Sequence, residues 1–446
     1  MRSPCNTFFG FLYLITFFIN NYLLDSGMKQ FRLILILIIL LYSCDSVKNY
    51  DPPRAFTDIE KELQAKFILA EDNSVIELDT GNFLFGKSLI LEGKENITIR
   101  GKGIFKTVLS FRDQKDGAEG IRIANCKNIT LEDFSIEDAA GDNIKVTDTD
   151  GITFRKIKSA WTGIVNEKNG AYGLYPVLCR NVLVEDCEVL GASDAGIYVG
   201  QSYDVIIRKN RVYWNVAGIE SENSVNVKIH GNRTYENTGG ILVFDLPGLT
   251  MTGENIEVYS NEVYKNNLRN FAPPGNIVGV VPPGTGMLIL ATRKVNVHNN
   301  KIKDNRTIGI GIISYDLVSI VSEDKNDDEQ VDQGSGQRIN RQYEQDVNYD
   351  PYPGDIHIHN NSFSNRYFMP DLRSPFGKIF IWKFGLKSPH IAWDGIKPEG
   401  YVLSDGRINP AYRICVDEEE NVKRAILDIG NEFKDLTVDP EALSCQ

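Results

Sequence analysis

Histidine and methionine are scarce in this chain, and the spacings that normally hold a metal are missing. Only five histidines and five methionines occur among 446 residues, and no Cys-x-x-Cys or His-x-x-x-His spacing is present. Structural zinc sites depend on such spacings, so we expect neither a metal site nor another cofactor. The scattered soft ligands also make metal delivery the least favoured function for this chain.

Positive charge is also in short supply. The chain has 48 Lys and Arg against 60 Asp and Glu, which gives a formal net charge of −12. Because nucleic-acid phosphates attract proteins rich in lysine and arginine, no nucleic-acid partner is expected. The chain is 42% hydrophobic, which is enough for a large core. Its 38 glycines and few helix-forming runs favour many short strands joined by tight turns.

The N-terminal segment resembles an export signal. Lys29 and Arg32 precede the apolar run Leu33–Tyr42, and a basic region followed by such a run is typical of a secretory signal. The alternative is an ordinary membrane anchor, but a spanning helix needs about 20 apolar residues. Residues 1–44 are therefore predicted to be a signal segment, for which Met28 is a second possible start.

The signal ends in a sequence that resembles a bacterial lipobox, in which a cysteine becomes lipidated. That cysteine is Cys44. We therefore expect a protein anchored by lipid to a membrane of the cell envelope, on the periplasmic side or at the outer-membrane surface.

The other cysteines are candidates for disulfides, because export permits these bonds. Cys126 and Cys179 occupy matching places in two repeats, and Cys187 lies nearby. Cys415 and Cys445 bracket the C-terminal segment and could close it.

A repeat of short alternating segments runs through most of the chain. Apolar and polar residues alternate in each segment, which is the period of a strand with one buried face. Aligned apolar positions recur every 22 to 23 residues, with occasional insertions, at Ile129, Ile152, Val182, Val205, Val227 and Ile256. This period fits one coil of a solenoid. We predict an all-β, right-handed parallel β-helix formed as a single-stranded solenoid.

Two columns of identical residues support the coil. Asparagines follow successive strands, and their side chains can bond along the column and tolerate left-handed backbone. They are Asn210, Asn232, Asn261, Asn300 and Asn361. Glycines precede a second strand in each coil, where they permit a sharp corner. They are Gly196, Gly218, Gly240, Gly286 and Gly309.

Domain boundaries follow from where the repeat stops. Phe56–Ala70 has helical periodicity and is predicted to cap the N-terminal end, because open strand edges need cover. The predicted β-helix spans residues 55–316 and resumes over 354–400. The acidic residues 317–353 are interpreted as a mobile loop, and residues 401–446 as an irregular cap closed by the two C-terminal cysteines.

Several longer stretches resemble bacterial parallel β-helix repeat lipoproteins of unassigned function. They are Gly117–Gly120, Ala171–Val177, Gly191–Ser202, Gly239–Gly248 and Asn270–Gly275. The resemblance runs from about residue 59 to the C-terminus. It implies the β-helix fold, an export route and a cytochrome-like envelope partner, but no activity.

A more distant similarity is to β-helix mannuronan C5-epimerases and related polysaccharide lyases. Their catalytic segment has a Tyr-Gly start followed by Asp-Pro-His, which here reads Tyr172, Gly173, then Tyr175, Pro176 and Val177. Proton abstraction at C5 needs a base, and the Asp and His positions hold Tyr and Val. The similarity therefore implies the place of a groove rather than the activity.

Candidate site residues lie on the outer face of the glycine-led strands and in an insertion beside that face, between Trp161 and Cys179, which carries Glu167, Tyr172 and Tyr175. Aromatic rings beside carboxylates offer a saccharide both stacking surfaces and hydrogen bonds. The catalytic candidates are Glu220, Glu222 and Tyr172. The ligand-binding candidates are Lys145, Glu167, Tyr175, Tyr198, Phe244 and Asp245. Each also has an ordinary structural interpretation: solvated face residues for the glutamates, loop anchors for the tyrosines and a turn former for Asp245.

Two functions remain open from the sequence. One is a non-catalytic lipoprotein that binds carbohydrate or docks an envelope partner. The alternative is a carbohydrate-active enzyme, namely a polysaccharide lyase, epimerase or hydrolase, in which Glu220 or Glu222 faces a cleft together with Tyr172.

Overall fold

The computed structural model describes residues 48–49, 54–323, 343, 345–367, 369–386 and 388–445. The signal segment and Cys44 lie outside these residues. Residues Lys48–Gln446 group into one compact unit. Within the described part of the chain, no helix is both long and apolar enough to cross a membrane.

The compact unit is a parallel β-helix in which each coil contributes strands to three sheets. The first sheet contains the strands of the sequence repeat, and Val205 pairs in parallel with Val182 on one side and Val227 on the other. Consecutive repeats therefore stack in register, as the spacing predicts. The first sheet contains Val75–Glu77, Thr98–Arg100, Lys127–Glu137, Asp150–Ala160, Arg180–Glu185, Tyr203–Arg208, Val225–His230, Glu254–Tyr259, Arg293–His298, Gly354–His359 and Ile414–Asp417.

The second sheet is built from short strands that follow those of the first. Lys127–Glu137 and Asp150–Ala160 are long enough to run through both sheets. The other strands of the second sheet are Thr57–Asp58, Gly81–Leu84, Thr107–Ser110, Glu188–Leu190, Arg211–Tyr213, Arg233–Tyr235, Glu262–Tyr264, Lys301–Lys303 and Ser362–Ser364.

The third sheet contains the glycine-led strands. It has twelve strands, of which the last, Thr437–Val438, is antiparallel to its neighbour. The parallel strands are Lys87–Glu92, Asp116–Ala124, Ile144–Thr147, Tyr172–Val177, Ala195–Gly200, Ala217–Glu222, Gly239–Phe244, Thr285–Leu290, Ile308–Ile313, Ile391–Trp393 and Arg424–Ile426.

Apolar side chains fill the interior of the coils. The inward column of Ile197, Ile219, Ile241 and Ile310 is buried, and its members align in register from coil to coil, with Met287 between Ile241 and Ile310. Each such side chain contributes roughly 1.5–3 kcal/mol when fully removed from water. No strand of a solenoid buries its apolar face alone, so this stabilisation exists only when neighbouring coils stack.

The predicted asparagine column is a continuous hydrogen-bonded ladder. The side-chain amide of Asn232 donates to Oδ1 of Asn261 at 3.0 Å and to the carbonyl of Ile207 at 2.9 Å. A second ladder, which the sequence analysis did not identify, runs through Asn215, Asn237, Asn266 and Asn305. The asparagines of the first ladder do not have a left-handed backbone conformation. The residue immediately before each of them does, and these residues are Lys209, Gly231, Ser260, Asn299 and Asn360.

The glycines of the third sheet have a different role from the one predicted. None of these five glycines has the positive φ of a left-handed corner. A Cβ on Gly218 would instead lie 2.5 Å from the carbonyl oxygen of Gly240 and 2.9 Å from the amide nitrogen of Asn237. Glycine is required because adjacent coils and the second asparagine ladder approach too closely for any side chain.

Two of the four disulfide candidates are bonded. Cys415 and Cys445 form a disulfide, so the predicted closure of the C-terminal segment is confirmed. Cys126 and Cys179 are buried free thiols, as is Cys187. Thr149 lies between Cys126 and Cys179 in the column, where its hydroxyl accepts the Cys126 N–H. Two coil spacings of about 4.8 Å therefore separate the two thiols, beyond the reach of a disulfide.

The predicted N-terminal helix is shorter than its periodicity indicated. It spans Glu60–Leu69 and buries Leu63 and Phe67 against the first coils. The preceding residues Thr57–Asp58 form a strand, because the end of the second sheet offers an edge there.

The segment expected to be a mobile loop begins as a helix, Tyr315–Glu323. Tyr315 and Val318 of this helix are buried against the third sheet. The prediction that a loop begins at residue 317 is therefore wrong for residues 317–323.

The repeat also continues further than predicted. Ile414–Asp417 and Arg424–Ile426 add strands to the first and third sheets inside the segment interpreted as an irregular cap. The remaining elements are the helix Pro375–Phe384, the 3-10 turns Ile277–Val280, Pro410–Tyr412, Ile429–Asn431 and Glu441–Leu443, and an antiparallel pair of Lys48–Asn49 with Gly163–Ile164.

Candidate functional site

Most of the predicted site residues lie together on the outer face of the third sheet. Register places Lys145 opposite Tyr175, and Tyr198 opposite Glu220, which in turn lies opposite Leu242. In the strand Ala217–Glu222 all six residues are buried. Both faces of this sheet are therefore covered, whereas strands of the first sheet alternate between buried and more exposed residues.

Three tyrosines form what we call the tyrosine cluster: Tyr172, Tyr175 and Tyr198. Their ring centroids lie 4.5 to 4.9 Å apart. Such aromatic pairs contribute about 0.5–1.5 kcal/mol beyond the area they bury. The ammonium of Lys145 lies 5.0 Å from the centroid of the Tyr175 ring, so a cation stands at the edge of the cluster.

Beneath the tyrosines lie three carboxyl groups, here called the carboxyl cluster: Asp194, Glu220 and Glu222. The Tyr198 hydroxyl donates to Oε1 of Glu222 at 2.6 Å, and the Tyr172 hydroxyl donates to Oδ2 of Asp194 at 3.2 Å. Oδ1 of Asp194 and Oε2 of Glu220 are buried without a hydrogen-bond partner. Buried ionised carboxylates without partners are costly, so this cluster favours protonated forms.

Burial raises the pKa of every member of the carboxyl cluster. Desolvation, followed by the charge of Glu222, raises the pKa of Asp194 to about 7. Desolvation also raises the pKa of Glu222 to about 7, opposed by the hydrogen bond from Tyr198. For Glu220, desolvation and then the charge of Asp194 place the pKa well above its ordinary value. Asp194 and Glu222 can therefore hold or release protons near neutral pH, which ordinary surface carboxylates cannot.

A covering layer closes most of this face. Val278 and Val281, from the loop before Thr285–Leu290, pack on it together with Tyr315 of the helix Tyr315–Glu323. The side-chain amide of Asn276, in the same loop, donates to Oδ2 of Asp194 at 3.1 Å. The covering layer is thus hydrogen-bonded directly to the carboxyl cluster.

This cover changes the interpretation of the predicted catalytic pair. Glu220 is 1% exposed and Glu222 is 9% exposed, so neither faces an open cleft, although both lie beside Tyr172. The accessible part of the site is its edge, where Tyr172, Tyr175 and Lys145 are partly exposed.

Phe244 and Asp245 were predicted to contact ligand, and the cover buries both. The N–H of Gly253 donates to Oδ1 of Asp245, and the Tyr349 hydroxyl donates to its carbonyl. These bonds hold the loop that follows the strand, in agreement with the turn-forming alternative. Glu167 is exposed in a turn after Gly163–Ile164 and is not part of the buried clusters.

Sequence reasoning missed two carboxylates beside Lys145. Its ammonium lies 3.7 Å from Oε1 of Glu119 and 4.0 Å from Oδ2 of Asp142. Desolvation, opposed by the charge of Lys145, raises the pKa of Asp142 to about 6. The i,i+3 spacing of Asp142 and Lys145 was a local signal for one contact, but Glu119 comes from the preceding coil.

The described residues contain one compact group of potential metal ligands, and it lies outside the two clusters of this site. The group is His357 with Cys415 and Cys445. Those two sulfurs are bonded to each other, so they are not free to ligate.

The fold resembles several solved polysaccharide-active proteins. The mannuronan C-5 epimerase AlgE4 A-module of Azotobacter vinelandii is 13% identical, with 84% of this chain and 93% of that chain covered and a TM-score of 0.50. The AlgE6 A-module of the same organism is 12% identical over 82% and 90%, with a TM-score of 0.44. An alginate lyase from Paenibacillus sp. is 11% identical over 70% and 95%, with a TM-score of 0.42.

At these identities the likeness shows the fold alone. No curated protein matches the sequence. The family described as "Right handed beta helix region" matches residues 71–248. This chain therefore contains a right-handed β-helix region and folds as a right-handed parallel β-helix, as the repeat predicted.

Proposed function

We propose that this protein is a carbohydrate-active enzyme whose site is the accessible edge of the tyrosine cluster. The observation that carries the proposal is the contact between Tyr172 and Asp194. Tyr172 is partly exposed, and its hydroxyl donates to a buried carboxyl group whose pKa is raised to about 7. A proton can therefore pass between the hydroxyl of Tyr172 and a group that titrates near neutral pH.

In this proposal Tyr172 touches the saccharide and Asp194 acts through it. When the hydroxyl of Tyr172 receives a proton from substrate, it passes its own proton to Asp194, and the reverse transfer supplies an acid. Asn276 holds Asp194 in place from the covering loop. Burial raises the pKa of Tyr172 well above its ordinary value, so the tyrosine is neutral between transfers.

Tyr175 and Lys145 are proposed to bind the sugar beside this pair. Tyr175 offers an aromatic surface for a sugar ring. The charge of Lys145 is already partly balanced by Glu119 and Asp142. Since a carboxylate on the substrate would have to compete with these two, we expect neutral glycans to be preferred over polyuronides.

The structural similarity supports a polysaccharide substrate without fixing the reaction. The AlgE4 A-module, which matches with a TM-score of 0.50, is a mannuronan C-5 epimerase. The Asp and His of the epimerase segment are Tyr175 and Val177 here. For this reason we assign proton-transfer chemistry on a polysaccharide and not C5 epimerisation.

Turnover of a glycan panel by the purified full chain tests the proposal. Neutral glucans, mannans and xylans are incubated beside polymannuronate and polygalacturonate, and products are measured by mass spectrometry. Tyr172→Phe and Asp194→Asn should each lower turnover by about 100-fold or more, the usual contribution of a positioned proton-transfer group.

Tyr264→Phe is the matched control. Tyr264 belongs to a stacked column on the second sheet with Tyr235, at a ring distance of 5.1 Å. It should leave turnover unchanged. Product formation that survives Tyr172→Phe in a correctly folded variant would remove Tyr172 from the mechanism.

A second candidate function is binding without turnover. It is favoured by Tyr175 and Val177, which replace the charged pair of the epimerase segment. Retention on a glycan array, weakened by Tyr175→Ala, with no product from any glycan would support it.

We also propose that the chain is an envelope lipoprotein modified at Cys44, where it could meet a cytochrome-like partner. The lipobox-like segment and the resemblance to β-helix repeat lipoproteins support this. Metabolic labelling with palmitate should mark the wild type and not Cys44→Ala. Affinity purification of the labelled protein from detergent extracts should recover a haem protein, detected by its absorbance, if that partner exists.

A further inference from the structure

A cavity lies near the C-terminal end of the β-helix, away from the tyrosine cluster. It has a volume of about 230 Å³ and forms where the chain leaves the coil after Ser362–Ser364 and returns at Ile391–Trp393. The second asparagine ladder reaches Asn305 at its wall. We call this cavity the C-terminal pocket and describe it by the polar and aromatic residues that line it: Arg306, Asn365, Tyr367, Ser388, His390 and Lys423.

The lining of the C-terminal pocket has the opposite charge to the chain. Arg306 and Lys423 contribute positive charge to its wall, and none of the described residues that line it is Asp or Glu. The protein as a whole has a formal net charge of −12. A pocket walled by cations in an acidic protein is a local attraction for anions.

Arg306 has hydrogen-bonding capacity left over. Its Nε is buried and has no hydrogen-bond partner, while its guanidinium lies 5.2 Å from the centroid of the Tyr367 ring. The nearest carboxylate is that of Asp371, at 4.0 Å from Nη1, and Asp371 is already bonded by Arg373 at 2.6 Å. A planar guanidinium with a free edge matches a carboxylate or phosphate.

His390 and Ser388 add uncharged donors. The backbone N–H of Lys423 donates to Nδ1 of His390 at 3.0 Å, so in the neutral ring Nε2 carries the proton. Burial, and then the charge of Lys423, lower the pKa of His390. The hydroxyl of Ser388 is buried without a hydrogen-bond partner.

We propose that the C-terminal pocket binds a small molecule bearing a carboxylate or phosphate group. Arg306 and Lys423 bind the anionic group, and His390 and Ser388 donate further hydrogen bonds. Tyr367 and Phe363, also in the wall, face the body of the ligand. Pockets for drug-sized ligands usually measure about 300–1,000 Å³, so this one fits a single sugar acid or sugar phosphate rather than an oligosaccharide.

Isothermal titration calorimetry on the full chain tests the proposal. The probes are glucuronate, glucose 6-phosphate, inorganic phosphate and glucose. Binding of glucuronate alone identifies a carboxylate site, and binding of glucose 6-phosphate or phosphate identifies a phosphate site. Absence of binding by all three anions, or equal binding of glucose, would overturn the proposal.

Two variants test whether Arg306 and Lys423 bind the anion. Arg306→Gln and Lys423→Gln should each weaken the anion at least 10-fold, which corresponds to about 1.4 kcal/mol. Arg407→Gln is the control, because Arg407 is exposed and pairs with Asp405 in its own turn. Unchanged affinity in both pocket variants, with thermal melting showing that they are folded, would also overturn the proposal.

The Tyr172→Phe variant separates this proposal from the proposed function. It should bind the anion as the wild type does, because Tyr172 is not among the residues that line the C-terminal pocket. If anion binding fails to survive Tyr172→Phe in the folded protein, the two sites are not independent and the assignment to this pocket is wrong.

Discussion

The Tyr172 hydroxyl donates a hydrogen bond to Oδ2 of Asp194 in the next coil of the β-helix, and the two oxygens lie 3.2 Å apart. The contact follows from register, since Tyr172 pairs with Ala195, the residue after Asp194. It joins a partly exposed ring to a fully enclosed carboxyl group. This pair makes the outer face of the third sheet a candidate for proton transfer and not only a packed surface.

The buried carboxyl cluster should make the protein less stable as pH rises from about 4 to 7. The pKa of Asp194 is raised from 3.8 to about 7 by burial, so in this range the folded state holds a proton that the unfolded state releases. Each such group lowers the free energy of unfolding by up to about 1.4 kcal/mol per pH unit.

Asp194→Asn should therefore flatten the dependence of stability on pH in that window. Urea unfolding at pH 4.5, 6 and 7.5 measures the effect. Asp405→Asn is the control, because the exposed Asp405 has a lowered pKa and is paired with Arg407. A slope in Asp194→Asn equal to that of the wild type would show that this carboxyl is ionised in the folded state.

The asparagine ladder should be needed for stability. Asn232 accepts bonds from the backbone and side chain of Asn210, and its own amide donates to Asn261 and Ile207. Asn232→Ala leaves several buried groups without partners, at roughly 1–3 kcal/mol each. Chemical denaturation should show a loss of at least this size. Asn421→Ala, at an exposed site bonded to Glu419, should change stability little.

Gly218→Ala should be strongly destabilising, because its Cβ would lie 2.5 Å from the carbonyl oxygen of Gly240. Overpacking of this kind costs about 1–3 kcal/mol where the neighbours can shift, and here the neighbour is backbone. Gly86→Ala is a matched control, since its Cβ would meet only a Glu60 oxygen at 3.6 Å. Thermal melting of both variants compares them. Equal melting temperatures would contradict the close approach of the coils.

The three free thiols in the described part of the chain, Cys126, Cys179 and Cys187, should resist labelling in the folded protein. Burial raises the pKa of Cys179 and of Cys187 to about 12 and raises that of Cys126, and the thiolate is the reactive form. Peptide mass spectrometry after iodoacetamide treatment should find these residues modified only in denaturant. Modification under native conditions would show that the coils open.

The disulfide between Cys415 and Cys445 should stabilise the C-terminal end. It closes a segment with a sequence separation of 30, for which a contribution of roughly 3 kcal/mol is expected. The double change Cys415→Ser with Cys445→Ser should lower the free energy of unfolding, measured by urea denaturation, by that amount. Cys187→Ala is the comparison variant for loss of a single buried sulfur.

The register of the coils could be predicted from the sequence because it depends on a pattern that repeats from each coil to the next. Positions such as Val205 and Val227 recur at the length of one coil, and stacking in register is the arrangement that buries all of them at once. The first asparagine ladder was predictable for the same reason. The sequence also predicted the disulfide between Cys415 and Cys445. It did not show that Cys126 and Cys179 are too far apart to form a disulfide, because their matching places in two repeats do not reveal the coil between them.

The site was predictable only in part. Lys145, Tyr198 and Glu220 were placed on the outer face because strand alternation fixes that direction. Tyr172 and Tyr175 were predicted to lie in an insertion beside this face, but the structure places them in the strand Tyr172–Val177 of the third sheet. The continuous apolar runs Ile241–Phe244 and Met287–Leu290 were a signal that the face is covered, since strands buried on both sides lack alternation. That signal did not show which segment provides the cover.

The sequence by itself therefore determined the solenoid, its period and the direction of its side chains, because these depend on interactions repeated between neighbouring coils. Only the tertiary structure decided that the face over Glu220 is closed, and that Asn276 reaches Asp194 from 82 residues away. It also decided that Arg306, His390 and Lys423 surround one cavity. Such contacts occur once between distant segments, so no local period in the sequence specifies them.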